Sequence, residues 1–208
     1  MPVELKDPYR AGGDRGGPTT TDRSYVVHRA TLDDPLVQPL LQELAREYST
    51  RYPRLVRESG RELDRYPPEE FEPAHGGLLL ILLEAGEPVA GGAYRRFDER
   101  TAELKRIWTH SAQRRRGLAR SVVGELERAA LAAGYERVYL TTGPRQPEAK
   151  GLYLATGYTP LFDVAADPET VGKLPFAKAL TPGGSVGPAD FPPLERLDFG
   201  PGPGAVSS

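Results

Sequence analysis

Along residues 25–180 the spacing of apolar positions switches repeatedly between two and about 3.6, the periods of strand and helix. Tyr25 to Ala30 reads as a short strand. Asp33-Asp34-Pro35 follows as a cap with proline in the first turn. Leu36, Val37, Leu40, Leu41, Leu44 and Tyr48 then share a helical face that Pro53 ends. Arg54 to Pro73 is polar and holds Pro67-Pro68, which predicts a loop or a short helix. Leu78 to Glu84 is continuously apolar, as in a strand buried on both faces. Ala85-Gly86-Glu87-Pro88 turns it into Val89 to Phe97, and Asp98 to Arg100 turns that into Ala102 to Thr109. Three such strands in succession predict an antiparallel meander. Leu118, Ala119, Val122, Val123, Leu126, Ala129, Ala130 and Ala133 mark the clearest helix, with Gly134 as its stop. Val138 to Thr142 is a strand, Pro147 to Thr156 a helix ended by Gly157, and Lys173 to Leu180 a last strand. The order predicts an α/β fold: a mixed, mostly antiparallel central sheet flanked by helices.

Glycine and proline crowd the two ends, and 208 residues fit one domain. Residues 1–24 and 181–208 hold too little apolar surface to offset the cost of ordering them, about 1–2 kcal/mol per residue. Both read as tails around a domain of residues 25–180, although Phe191, Leu194, Leu197 and Phe199 could dock as a strap. The net charge of −2 removes the whole-chain argument for a nucleic-acid or polybasic membrane binder. The absence of cysteine excludes disulfides, cysteine-ligated metals and a thiol nucleophile. His28, His75 and His110 stand singly, so no metal site is expected. The longest apolar run, Leu78 to Leu83, falls short of the roughly 20 residues of a membrane span. Met1 to Arg10 is charged, without the apolar core of a signal peptide, so a soluble cytoplasmic protein is expected.

The chemistry concentrates in Arg114-Arg115-Arg116-Gly117-Leu118-Ala119. Here a strand ends, a short turn follows and a long helix begins. The first amides of a helix have no helical partner and carry partial positive charge. Gly117 and Ala119 let a bulky anion approach the backbone, and three arginines add charge. The segment reads as a phosphate cradle, with a solvated basic turn as the alternative. It is neither a P-loop, since no Gly-Lys-Ser/Thr follows, nor a dinucleotide fingerprint.

At these residues the chain resembles a known family. Arg114-x-x-Gly117-x-Ala119 is similar to the Q/R-x-x-G-x-G/A signature of the GNAT acetyltransferases. Ala102 to Trp108 resembles that family's fourth strand. Gly143 to Ala149, Leu152-Tyr153 and Gly157-Tyr158 resemble its second motif, so three motifs stand in the family's order. The resemblance implies a GNAT-like fold, acetyl-CoA as co-substrate and an amine as acceptor.

It implies further that the amides of Arg115, Arg116, Gly117, Leu118 and Ala119 hold the diphosphate, flanked by Arg114 and Arg120. Ile107, Trp108 and Thr109 would meet pantetheine through their main chain, the Trp108 side chain being a core aromatic. Tyr153 matches the tyrosine that protonates the departing thiolate, with core packing as the alternative. Gln146 stands where the family often has asparagine, seven residues before that tyrosine. Glu103 matches the strand-four glutamate that serves as general base in the histone-acetyltransferase branch. Its alternatives are an ion pair with Lys105 or an anionic contact to substrate. Glu43, Glu47, Tyr48, Tyr52, Glu69, Glu70 and Phe71 are acidic and aromatic candidates for acceptor recognition.

The implied activity is direct N-acetylation of a small-molecule or peptide amine, with no metal, nucleic acid or membrane involved. A homodimer is compatible with the sequence. A non-catalytic acyl-CoA sensor is the alternative, and an RNA-binding module a third reading.

Overall fold

The computed structural model describes residues 25–53, 63 and 65–193. Among them seven strands form one sheet: β1 (Val26–Ala30), β2 (Leu78–Glu84), β3 (Glu87–Arg96), β4 (Thr101–Thr109), β5 (Arg137–Thr142), β6 (Thr159–Pro160) and β7 (Leu174–Ala179). Their order across the sheet is β1-β2-β3-β4-β5-β7-β6. Every neighbouring pair is antiparallel except β4 and β5. That parallel step needs a crossover, which the helix α2 (Leu118–Ala132) provides. Among the described residues the other α-helices are α1 (Gln38–Arg51), α3 (Pro147–Ala155) and the single turn α4 (Pro168–Val171).

The sheet separates two apolar layers. Leu80, Leu82, Ala102 and Leu104 face α2, packing with its Val122, Val123, Leu126 and Ala130 and with Tyr153 and Phe176. Leu79, Ile81, Ala93 and Trp108 face the other way, onto Leu40 and Leu44 of α1 and onto Phe71. Alternate residues of β2 thus enter different layers, which is why its apolar run has no polar gaps. The sheet was expected to be mixed and mostly antiparallel, and it is.

Local signals behave as expected in α1 and α2. Asp34 accepts from the Leu36 amide at 2.9 Å and caps a 3-10 turn, Pro35–Val37, that leads into α1. Past α2, Gly134 takes φ +94°, a left-handed stop that suits glycine. Two elements escape the sequence pattern: β6 has two residues and α4 four, too few to display a period.

Within the segment expected as a C-terminal tail, most of residues 181–193 are exposed, and Phe191, one of the residues expected to dock as a strap, is buried. Phe191 stacks on Tyr139 at 4.7 Å, beside Phe97, and Asp190 pairs with Arg137 at 3.1 Å. One aromatic among glycines and prolines finds a pocket that no local period announces. Leu194, Leu197, Phe199 and residues 1–24 lie outside the described residues. Among the described residues, no helix is long and apolar enough to cross a membrane.

Candidate active site

The cleft originates in how β4 is built. It pairs with β5 only from Thr101 to Glu103, opposite Arg137 to Tyr139, and beyond that the strands separate. On its other side Lys105 pairs with Ala93 and Trp108 with Gly91, so Arg106 and Ile107 together oppose Gly92. Arg106 takes φ +58°. Such a bulge bends and twists its strand, turning β4 away from β5. Gly92 makes room for it: a Cβ there would stand 2.7 Å from Ile107 Cδ1 and 2.9 Å from Val122 Cγ1.

The resulting wedge encloses a cavity of about 730 Å³, a volume typical of small-molecule sites. Ile107, Trp108, Thr109, Arg114, Arg115, Gly117, Leu118, Ala119, Arg120, Gln146 and Tyr153 all line it. Of the sequence-proposed site residues, Glu103 and Arg116 do not.

Arg114, Arg115 and residues 117–120 border one part of the cavity. Arg115 and Gly117 both take left-handed backbone angles, φ +62° and +80°, on either side of Arg116. Successive amides in such a turn converge on a concavity that suits an anion, and α2 adds its N-terminal amides. Arg115 lacks glycine's freedom and is strained there, a feature concentrated at functional sites. A Cβ on Gly117 would meet no atom within 4 Å, so the space beside this residue is open. The arginine side chains diverge. Arg114 reaches Glu47 at 3.3 Å, Arg120 donates to the Ala155 carbonyl at 3.2 Å, and Arg116 turns outward onto Glu84 at 2.8 Å.

Helix α3 supplies the opposite wall. Tyr153 is buried between Tyr158 and Phe176, with ring centroids 5.3 and 5.5 Å away. Burial pushes its phenol well above the ordinary range, so it remains protonated at working pH. Gln146 sits just before the helix. Its Oε1 accepts from Thr142 Oγ1 and the Gly143 amide, both at 3.1 Å, and its Nε2 donates to Glu47 Oε1 at 3.0 Å. It therefore ties the loop after β5 to α1.

Next to the cavity, β4 carries a set of paired charges of which Lys105 alone lines it. Glu103 is buried, with Oε2 on Arg95 and Oε1 on Lys105 Nζ, each at 2.8 Å. Arg95 also holds Glu70 at 2.9 Å, and the Tyr66 ring stands 4.2 Å from the Arg95 guanidinium and 5.0 Å from Lys105 Nζ. Lys105 lines the cavity. The strand alternation that puts Lys105 on Glu103's face is visible in sequence; the bulge that sends Arg106 to the Phe71 ring, 4.0 Å away, is not.

Among the acceptor candidates, Glu47, Tyr48 and Phe71 line the cavity. Glu43 instead accepts from Trp108 Nε1 at 2.9 Å and from the Ser111 amide at 3.0 Å. Burial would raise its carboxyl, but those bonds hold it below the usual range. Tyr52 is buried, and its hydroxyl accepts from the Arg145 amide at 3.0 Å. Arg51 and Glu148, which the sequence reading did not single out, pair with each other at the cavity edge.

The chain is similar to known proteins in sequence and in fold. Residues 38–158 match the model of the Acetyltransferase (GNAT) family. The chain is 34% identical over 92 residues to the uncharacterised N-acetyltransferase YsnE of Bacillus subtilis. That match covers 41% of this chain and 61% of YsnE, so the chain spans less than two thirds of that relative. Among solved structures, an acetyltransferase from Streptococcus agalactiae superposes with a TM-score of 0.56 at 17% identity, covering 74% of this chain and 98% of the other. A GNAT family acetyltransferase from Elizabethkingia anophelis, solved with acetyl-CoA bound, gives 0.52 at 14% identity, covering 76% and 99%. At such identities the likeness speaks to the fold. With the family model spanning more than half of its length, the chain belongs to the GNAT family of N-acetyltransferases.

Proposed function

We propose that the chain transfers an acetyl group directly from acetyl-CoA to a primary amine, without a metal and without an acyl-enzyme. The observation that carries this reading is the wedge between β4 and β5, which leads to the left-handed turn at Arg115 and Gly117. Such a shape suits an extended thiol arm ending in a diphosphate. Two features of the cavity fit that ligand. The space beside Gly117 is open, and the Thr109 hydroxyl is buried without a hydrogen-bond partner among the described residues. The Elizabethkingia relative was solved with acetyl-CoA, in line with this assignment.

The amides of Arg115, Arg116, Gly117, Leu118 and Ala119 would hold the diphosphate. Arg114 and Arg120 would flank it, Arg114 leaving Glu47 to do so. Ile107, Trp108 and Thr109 would hold the pantetheine arm through the free edge of β4, like an added strand. The Trp108 side chain stays in the α1-side core. Gln146 contributes by fixing Glu47 and the loop after β5. Bound there, acetyl-CoA supplies an acetyl group activated as a thioester.

Tyr153 Oη, kept protonated by burial, gives its proton to the departing sulfur. Glu103 takes the proton from the acceptor ammonium. Since Lys105 stands between Glu103 and the cavity, an external amine reaches that carboxylate by displacing Lys105 or through water. No cysteine exists to carry the acetyl group, which supports direct transfer.

The test is thiol release from acetyl-CoA across a panel of primary amines, with CoA-induced thermal stabilisation measured in parallel. Amine-dependent thiol release is the expected result. Stabilisation by CoA with silence across the panel would overturn catalysis in favour of an acyl-CoA sensor.

A further inference from the structure

The acceptor side of the cavity already contains a primary amine. Lys105 lines the same cavity as Ile107 to Thr109 and Tyr153. It donates to Glu103 Oε1 at 2.8 Å, with its side chain 14% exposed. The Tyr66 ring stands over it. An amine, a carboxylate positioned to accept its proton and the cavity assigned to the thioester therefore meet within one chain. Lys150 and Lys178 are differently placed: Lys150 Nζ donates to the Val164 carbonyl at 3.2 Å, and Lys178 pairs with Glu127 at 2.8 Å. Neither lines the cavity.

We propose that Lys105 is itself an acceptor, acetylated in cis by its own active site. This rests on the acetyl-CoA reading above. Glu103 removes one proton from the Lys105 ammonium and passes it to solvent. The Nζ lone pair forms the new N–C bond to the acetyl carbonyl carbon. The C–S bond breaks, its electron pair goes to sulfur, and Tyr153 protonates that sulfur. The nitrogen sheds a second proton as it becomes an amide, and water returns that proton to Tyr153. The balance is one acetyl-lysine, one free CoA thiol and one proton released. The modification removes a positive charge from the Glu103 pair.

The full chain, incubated with acetyl-CoA and no added amine, is digested over a time course, and acetyl occupancy is measured at Lys6, Lys105, Lys150, Lys173 and Lys178. Lys105 is expected to approach one acetyl per chain, at least about tenfold faster than any other lysine, because its amine is held at the site. Its half-time should not change on dilution of the protein, as a reaction in cis requires. Tyr153→Phe should slow it by about 10²–10⁴-fold. Lys105→Arg should abolish the acetyl while CoA still raises the melting temperature.

Labelling of Lys105 no faster than of Lys150, or a half-time that lengthens on dilution, would overturn the proposal. An unmodified Lys105 in a chain that CoA stabilises and that acetylates an external amine would sink this inference alone. A chain that CoA does not stabilise would sink the acetyl-CoA reading, and this inference with it.

Discussion

The side of the cleft at residues 114–120 is proposed to meet its ligand with main chain, whereas Lys105, on another side, is backed by paired side chains, Glu103, Arg95 and Glu70, that do not themselves line the cavity. In the first, two left-handed residues lead into a helix start, the geometry proposed to offer amides to the diphosphate, and Arg116 pairs with Glu84. In the second, two carboxylates share two cations at 2.8–2.9 Å, beside the Tyr66 ring. A wall of amides presents the same donors whatever most of its side chains are. A wall of ion pairs depends on every member, since removing one strands the charge of another. The backbone wall should therefore fail only where its shape is changed, and the side-chain wall wherever a partner is lost.

Shape is changed most at Gly117. Gly117 lines the cavity and a Cβ on it would meet nothing within 4 Å, so Gly117→Glu adds a carboxylate to the turn proposed to hold the diphosphate. The expected outcome is complete loss of CoA-induced stabilisation, about 2.7 kcal/mol in the wild type at 100 times the dissociation constant. Because φ is +80°, any side chain costs about 1–2 kcal/mol of strain, so Gly117→Ala is the control. It should show the strain and retain much of the CoA shift. Equal CoA shifts in Gly117→Glu and wild type would show that the diphosphate lies elsewhere.

Next in size is the proton donor. Tyr153→Phe removes one hydroxyl from a buried ring and little packing volume. The expected fall in kcat is about 10²–10⁴-fold, with CoA binding nearly unchanged, read from steady-state kinetics beside a CoA titration. An undiminished kcat would make Tyr153 a packing residue between Tyr158 and Phe176.

The contrast between the walls also explains what could be read from the sequence. Arg114, Gly117 and Ala119 lie within one turn of chain, so their arrangement is local and their spacing announces it. The strands from Leu78 to Thr109 and the helix from Leu118 were legible for the same reason. Glu70 and Arg95 are brought to Glu103 by tertiary packing and by the register that sets Arg95 opposite Glu103. No short spacing encodes that meeting. Lys105 was within reach, two residues from Glu103 on an alternating strand, but its ion pair with Glu103 appeared only as an alternative. The outward turn of Arg116, the bulge at Arg106 and the docking of Phe191 depend on neighbours far away in sequence.

Glu103→Gln tests the side-chain wall itself. It keeps the shape, removes the charge and leaves Lys105 without its carboxylate, while Arg95 keeps Glu70. Breaking a buried pair costs about 3–5 kcal/mol, and the second partner of Arg95 argues for the lower end, about 3 kcal/mol in denaturant unfolding. If Glu103 is the base, the rate toward an external amine should fall most at low pH, where more of the amine is protonated. Raising the pH should recover part of it, because the amine then arrives neutral. A rate defect that is flat across pH would make Glu103 a positioning group for Lys105 and Arg95.

The smallest effect expected separates main chain from side chain within the arginine triplet. Arg116 contributes its amide to the turn, but its guanidinium holds Glu84 at 2.8 and 3.0 Å with a quarter or so of each side chain exposed. A partly exposed pair of this kind is worth about 1 kcal/mol or less. Arg116→Ala should therefore cost no more than that in thermal unfolding and leave the CoA shift at its wild-type value. Arg114→Ala, by contrast, removes the half-exposed guanidinium of a cavity-lining residue, paired with Glu47 at 3.3 Å and proposed to move onto a phosphate, so CoA affinity should drop. The two variants carry the same charge change at positions two residues apart, which cancels any long-range electrostatic effect on an anionic ligand. Equal losses of CoA affinity would mean that the triplet acts as a diffuse positive field. A loss confined to Arg114→Ala would mean that direction, fixed by the backbone turn at Arg115 and Gly117, decides which arginine serves the site.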